Sequence, residues 1–236
     1  GLLHDLLTRG LDQNGQLRDP TQNPHQFKPS PLGIIPKEWK VISIADAAAD
    51  SPNSFVDGDW IELPHIRNDG IRLIQTGNIG TGEFIDKADE HRYISQQSFR
   101  QLRCKAVNTG DLLICRLADP AGRACLVPGY VGDAITSVDV TIFRPNRKKL
   151  ISEYAVHWLN TRQSLARCEL LAGGTTRKRI SRINLGRIPI AAPPPEEQAA
   201  IGLRLAGIDE NTERLNEELA KLHHLKSGLM SDLLTG

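Results

Sequence analysis

A hydrophobic seven-residue repeat follows the three prolines at 193–195 and is the feature that most constrains the fold. It predicts one helix over residues 196–234, about 60 Å long at a rise of about 1.5 Å per residue. The apolar positions form a coiled-coil seam, with Thr212 and Lys226 as its polar members. The seam residues are Ile201, Leu205, Ile208, Leu215, Leu219, Leu222, Leu229 and Leu233. The alternative is an amphipathic helix packed on its own domain, but a helix this long must in part pack on something else.

The same prolines divide the chain, for which we predict three segments. Residues 37–193 form a compact domain, and residues 194–236 form the long helix. Residues 1–36 are rich in Pro, Gly, Asn and Gln and are predicted to be a linker after a short helix end. When the chain is aligned on Gly1 and Gly228, six of nine positions agree. This repeat predicts that the chain is one unit of a tandem repeat and opens with the helical tail of the preceding unit.

The central segment is predicted to be mixed, because short apolar runs alternate with polar loops. Two helices are expected, over 95–103 with Ser95 as N-cap and over 151–171. The predicted strands are 39–45, 71–76, 112–117, 123–127 and 134–143. Helices do not alternate regularly with these strands, so the prediction is an α+β domain with a curved mixed sheet, followed by a long coiled-coil α-helix.

A glycine-rich loop after the strand 71–76 is the first candidate for DNA contact. Gln75, Thr76 and Asn78 lie among glycines that allow close approach of the backbone. Amide side chains can pair with base edges, so these three residues are predicted to read DNA. The order of the glycines is not that of a dinucleotide fingerprint. A simple hairpin turn is the other interpretation of this loop.

A basic stretch is the second candidate. Between Ala172 and Pro189 there are five positive residues and no acidic one, whereas the whole chain has 29 Lys plus Arg and 28 Asp plus Glu. The near-balanced total excludes a uniformly basic nucleic-acid binder, so any such binding needs a local patch. The predicted phosphate contacts are Thr175, Thr176, Arg177, Lys178, Arg179 and Arg182. The alternative is a solvated basic loop without a ligand.

Catalytic motifs are missing from the sequence. It contains no phosphate-binding loop of the GxxxxGK type, no Asn-Pro-Pro-aromatic tetrapeptide and no GxSxG. Its seven histidines form no HxxxH or HExxH, and its four cysteines form no CxxC. It has no apolar run long enough to span a membrane and no signal peptide. We therefore predict a cytoplasmic protein that is not an enzyme and has no metal site and no cofactor.

Four stretches resemble type I restriction–modification specificity (S) subunits. The third is the most specific, since a basic loop, an apolar strand, a proline break and an EEQ helix start follow one another. The stretches are LGIIPKEWKV (32–41), IRLIQTGNIGTGEF (71–84), GGTTRKRISRINLGRIPIAAPPPEEQAAI (173–201) and LKSGLMSDLLTG (225–236). Family members carry two target-recognition domains and two long helices. The chain is therefore similar to a half-length subunit or the C-terminal half of a full one.

The resemblance implies a function. The chain would read one half of a bipartite double-stranded DNA target through its recognition domain and would position methyltransferase (M) and restriction (R) subunits. It would contribute no catalytic residue. If the chain is naturally half-length, a homodimer through the long helix is expected. The competing hypothesis is a coiled-coil interaction module that does not read DNA.

Overall fold

The computed structural model describes residues 1–235, with the side chains of Glu213, Ser231, Asp232 and Thr235 excepted. The helices are α1 (Leu2–Thr8), α2 (Ile44–Ala47), α3 (Gln96–Gln101), α4 (Ser152–Leu159), α5 (Arg162–Leu170), α6 (Arg182–Gly186) and α7 (Pro195–Thr235). The strands are β1 (Phe27–Ser30), β2 (Gly33–Pro36), β3 (Lys40–Ser43), β4 (Phe55–Asp57), β5 (Ile66–Arg67), β6 (Ile71–Ile74), β7 (Tyr93–Ile94), β8 (Leu112–Cys115), β9 (Ala124–Leu126), β10 (Ala134–Thr136), β11 (Val140–Phe143) and β12 (Pro189–Ala192). None of these helices is both long enough and apolar enough to cross a membrane.

Strand pairing gives two four-stranded and two two-stranded sheets. The larger sheets have the orders β10-β6-β7-β5 and β4-β11-β8-β9, and the smaller ones pair β1 with β2 and β12 with β3. Among the strand pairs of residues 1–235, β10–β6 alone is parallel. The prediction of a mixed α and β fold with a long C-terminal helix is confirmed, but the single curved sheet is not, because the strands divide among separate sheets.

Three corrections to the predicted elements are needed. The strand expected over 134–143 is two strands in different sheets, because the chain turns at Ser137, whose carbonyl accepts from Val140 N at 3.0 Å. The helix expected over 151–171 is broken between α4 and α5. There the Asn160 side chain pairs with the backbone of Ala124, and Thr161 caps α5.

The third correction concerns the ends of the compact domain. The predicted strand 39–45 stops at Ser43, because the Ser43 side chain caps α2. The predicted linker contains the β1–β2 hairpin, whose turn uses Gly33 at φ 101°. The predicted N-cap Ser95 is confirmed, since its hydroxyl accepts from Ser98 N at 3.0 Å.

One hydrophobic core joins all three segments of the sequence. It includes Leu6 and Leu7 of α1, Trp39 of the central segment, and Ile201 and Leu205 of α7, all fully buried or nearly so. We call this packed body, with the sheets that it carries, the head. The first turns of α7 are thus part of the head and not of a separate coiled coil.

The start of α7 is fixed to the head by polar contacts as well. Gln198 is fully buried; its amide donates to the carbonyls of Lys149 and Pro193, and its oxygen accepts from Ile151 N at 2.8 Å. Glu197 accepts from Arg18 at 2.6 and 3.2 Å. These contacts explain why the EEQ sequence stands where the helix leaves the last strand.

The remaining part of α7 leaves the head. Ile208 is partly buried against the core, whereas the later seam residues are exposed. Those exposed seam residues are Leu215, Leu219, Leu222, Leu229 and Leu233. We call the part of α7 after Ile208 the arm. The alternative interpretation, a helix packed on its own domain, therefore holds for the first turns of α7. The arm, in contrast, leaves its apolar stripe uncovered.

Candidate nucleic-acid interface

Two loops predicted separately from the sequence meet at one cleft of about 310 Å³. Gln75 and Thr76 line it from the end of β6, and Arg177 lines it from the basic loop. The other lining residues are Asp59, Trp60, Ile61, Leu63, Ile66, Leu73, Arg92, Leu117, Ser137, Val138 and Asp139. The fold thus places a polar loop and a cationic loop, about 100 residues apart in the chain, beside the same opening.

The polar loop is held in shape by one of its own predicted site residues. Asn78 is buried, and its side-chain oxygen accepts from Gln75 N at 2.9 Å while its amide donates to Ile85 O at 3.0 Å. Both ends of this amide are therefore occupied within the loop. Gln75 and Thr76 are half-buried and face the cleft. The role of Asn78 is therefore to hold the shape of the loop. The hairpin turn offered as the other interpretation lies just after Asn78, where Gly80 N donates to Glu83 O.

The basic loop is a closed turn. Gly173 and Arg179 exchange two backbone hydrogen bonds, of 3.0 and 2.8 Å, and Gly174 at φ 106° allows the chain to reverse between them. Every residue from 173 to 179 is exposed. The loop is joined to the end of the neighbouring strand because Ala118 N donates to Lys178 O at 3.0 Å. Thr175, Thr176, Arg177 and Lys178 therefore project from an anchored loop.

The charges of the basic stretch are not equivalent. Arg179 pairs with Asp139 at 2.8 Å, and Arg182 lies 3.5 Å from Asp57 and donates to Phe55 O. Over the described residues, Arg177 and Lys178 have no carboxylate within 4 Å. Two of the predicted phosphate contacts are thus occupied in holding the loop, and two are available to a ligand.

Two arginines that the sequence prediction missed, one half-buried and one buried, organise the loops around the cleft. The Arg123 guanidinium donates to Thr76 O at 3.1 Å, to Leu117 O at 2.9 Å and to Ile79 O at 2.7 Å. One side chain therefore joins the polar loop to the segment after β8, to which the basic loop is hydrogen-bonded at Ala118. A lone arginine before an apolar run gives no signal of this role, because its partners are backbone carbonyls distant in sequence.

Arg116 fixes the end of the basic loop through backbone carbonyls in a similar way. It is 2% exposed, donates to Val138 O at 2.6 Å and to Ile180 O at 3.3 Å, and lies 3.2 Å from Asp57. Burial lowers the pKa of this guanidinium, and the Asp57 carboxylate raises it. The signal in the sequence was an arginine at the end of the apolar run LLIC, a position where a charge needs buried partners.

Comparison with known proteins identifies the family. The family described as Type I restriction modification DNA specificity domain matches residues 94–224, which is more than half of the chain. The chain belongs to this family. The resemblance inferred from the sequence is thus confirmed. The match is to a specificity domain, which supports the prediction that the chain has no catalytic role.

Curated relatives of this specificity domain come from Methanocaldococcus jannaschii. The putative type I restriction enzyme MjaX specificity subunit is 24% identical over 245 residues, which cover 100% of this chain and 49% of the relative. The MjaVIII specificity subunit of the same organism is 22% identical over 240 residues, which cover 100% of this chain and 52% of that relative. The chain therefore spans about half the length of the curated relatives that it matches.

Solved structures show the same fold. The HsdS subunit of Thermoanaerobacter tengcongensis aligns with a TM-score of 0.56 at 18% identity, over 84% of this chain and 44% of that one. A chain from a structural study of complex assembly and conformational transition in the type I R-M system aligns with a TM-score of 0.59 at 19% identity, over 85% and 45%. Both again match about half of the longer protein.

Proposed function

We propose that the head reads one half of a bipartite double-stranded DNA target as part of a type I restriction–modification specificity subunit. The observation that carries this proposal is the cleft, where the Gln75 loop and the Arg177 loop meet. Base edges are recognised by polar side chains, and phosphates by exposed cations and hydroxyls. The cleft offers both kinds of contact side by side.

Within this proposal the site residues have different tasks. Gln75 and Thr76 contact base edges, because they line the cleft. Arg177 and Lys178 contact phosphates together with the hydroxyls beside them, Thr175 and Thr176. Arg179 and Arg182 hold the basic loop through Asp139 and Asp57, and Asn78 holds the polar loop.

The division of labour along the chain follows. The recognition domain is assigned to residues 37–193 and the long helix to residues 194–236. The arm would pair with a second helix, supplied by another copy of the chain or by the other half of a longer subunit. It would also help to set the spacing between the half-sites and to position M and R subunits.

Selection from a pool of DNA duplexes randomised at the centre tests the reading function. The immobilised chain should enrich one short sequence, bound at least about 10³-fold more tightly than its scrambled form. Binding at low salt without enrichment would mean that the head contacts only the backbone of DNA. Absence of binding would favour the coiled-coil interaction module that does not read DNA.

A further inference from the structure

Trp60 has an unusual position for a tryptophan. Trp39 is 0% exposed and Trp158 is 4% exposed, as expected of core residues, but Trp60 is 70% exposed. Leu63, three residues later, is 79% exposed. Both line the cleft. Two large apolar side chains kept in water beside a polar and cationic cleft indicate a surface that a ligand covers.

The segment that carries Trp60 is anchored at its first end. Gly58 N donates to Val140 O and Asp59 N donates to Thr136 O, both at 2.8 Å. A Cβ at Gly58 would collide with the carbonyl oxygen of Thr136, so this close approach requires glycine. The Asp59 carboxylate accepts from Lys105 N at 2.8 Å and pairs with the Lys105 ammonium.

The other end of the segment is anchored too. Ile61 packs against the core beneath it, and His65 Nδ1 lies 3.0 Å from Ser98 Oγ. Trp60 therefore lies between a fixed Asp59 and a partly buried Ile61. Its exposure is a consequence of the fold, and a backbone already fixed on both sides loses little conformational entropy when a ligand binds there.

The charges around Trp60 indicate that the ligand is anionic. The two acidic residues that line the cleft are neutralised, Asp59 by Lys105 and Asp139 by Arg179. Arg92 and Arg177 are exposed and have no carboxylate within 4 Å over the described residues. The lining of the cleft thus combines two exposed apolar side chains, Trp60 and Leu63, which we call the apolar wall, with these two exposed cations. A DNA duplex has the matching combination of apolar sugar and base-edge groups with negatively charged phosphates.

We infer that Trp60 is a DNA-contact residue, which packs its indole against the sugars and base edges of the half-site while Arg177 and Arg92 bind the flanking phosphates. Leu63 extends the same apolar wall. The inference rests on the proposed function and adds to it a recognition element that the sequence motifs did not contain. Apolar side chains inserted at a groove contribute affinity and respond to local DNA shape.

Intrinsic fluorescence provides a direct test, because Trp60 is the exposed one of the three tryptophans. The emission of the Trp60→Phe variant, subtracted from that of the full wild-type chain, isolates the signal of Trp60. The probe is the duplex recovered from the randomised pool, or the unselected pool at low salt if no sequence is enriched. The inference predicts that DNA protects this signal from acrylamide quenching. Quenching should stay unchanged in Trp60→Phe.

Affinity gives the second readout. Trp60→Ala should weaken duplex binding about tenfold or more, because buried tryptophans are among the interface residues whose truncation costs most affinity. Trp60→Phe should recover most of the loss, since it keeps an aromatic face. Tyr130→Ala is the matched control: Tyr130 is also exposed but does not line the cleft, and its removal should change binding less than about twofold.

The outcomes separate this inference from the proposed function. If the chain binds DNA while Trp60 stays accessible and Trp60→Ala binds as the wild type does, the inference is wrong and DNA reading stands. Protection of Trp60 before DNA is added, at a concentration where the chain self-associates, would assign the apolar wall to a second copy and also overturn it. Failure of the wild-type chain to bind any duplex would overturn both.

Discussion

The cleft of the head and the arm of α7 expose opposite kinds of surface. The cleft combines amide, hydroxyl and guanidinium groups on loops held by Arg116 and Arg123, with a small apolar wall. The arm exposes leucines at the spacing of a seam. The first surface fits a charged polymer, and the second fits another helix. The difference indicates that reading and assembly are separate tasks, which mutations should affect one at a time.

The junction between these regions should show the largest effect. Glu197 is mostly buried and accepts from Arg18, from Leu11 N at 2.9 Å and from Trp39 Nε1 at 3.2 Å. Glu197→Ala leaves the mostly buried Arg18 guanidinium without its main partner, with only Glu38 at 3.9 Å and the Arg9 carbonyl remaining, and should cost about 3 kcal/mol of unfolding free energy. Glu196→Ala, at an exposed neighbour, should change it by less than about 0.5 kcal/mol. Urea unfolding measures both.

Equal effects at the two glutamates would show that the junction is not fixed by the Glu197 contacts. A large loss for Glu197→Ala together with unchanged self-association would be the sharper result. It would mean that the head can be loosened without altering the arm.

The arm should respond in the assembly state instead. We expect a homodimer of about twice 26.0 kDa through the exposed stripe, because each seam leucine gains about 1.5–3 kcal/mol when fully buried. Leu215→Asp should convert it to monomer while the unfolding free energy of the head stays the same. Glu217→Ala, an exposed and polar position of the same helix, is the control. Analytical ultracentrifugation at micromolar concentration measures the mass.

A wild-type chain that remains at 26.0 kDa would contradict the homodimer. The structure already reduces the stripe available for pairing. Ile201 and Leu205 are buried in the head, so only the seam residues after Ile208 remain free to pair.

Much of this organisation could be predicted from the sequence, because it depends on local signals. The heptad repeat predicts α7, Ser95 predicts the start of α3, and the cluster of positive residues indicates the basic loop. The break between α4 and α5 could not be predicted, since it depends on Asn160 pairing with Ala124, which is distant in sequence.

The set of residues that line the cleft could not be predicted either, because they are distant from one another in the sequence. The sequence shows that Arg177 is basic and Trp60 aromatic, but not that they line one opening. Nor does it show which cations are neutralised, because the partners of Arg179 and Arg182 come from other strands. The role of Arg123 could not be predicted from the sequence, since all its hydrogen-bond acceptors are backbone carbonyls.

The salt dependence of duplex binding tests the central claim most directly. The double variant Arg177→Ala with Lys178→Ala should flatten the slope of log K against log salt by about 2, because each phosphate contact contributes about 0.9. The control removes the same charges elsewhere, at the exposed Arg147 and Lys148, which lie outside the cleft. It should leave the slope within about 0.5 of the wild type. Equal slopes for the wild type and both variants would contradict the assignment of the cleft to DNA.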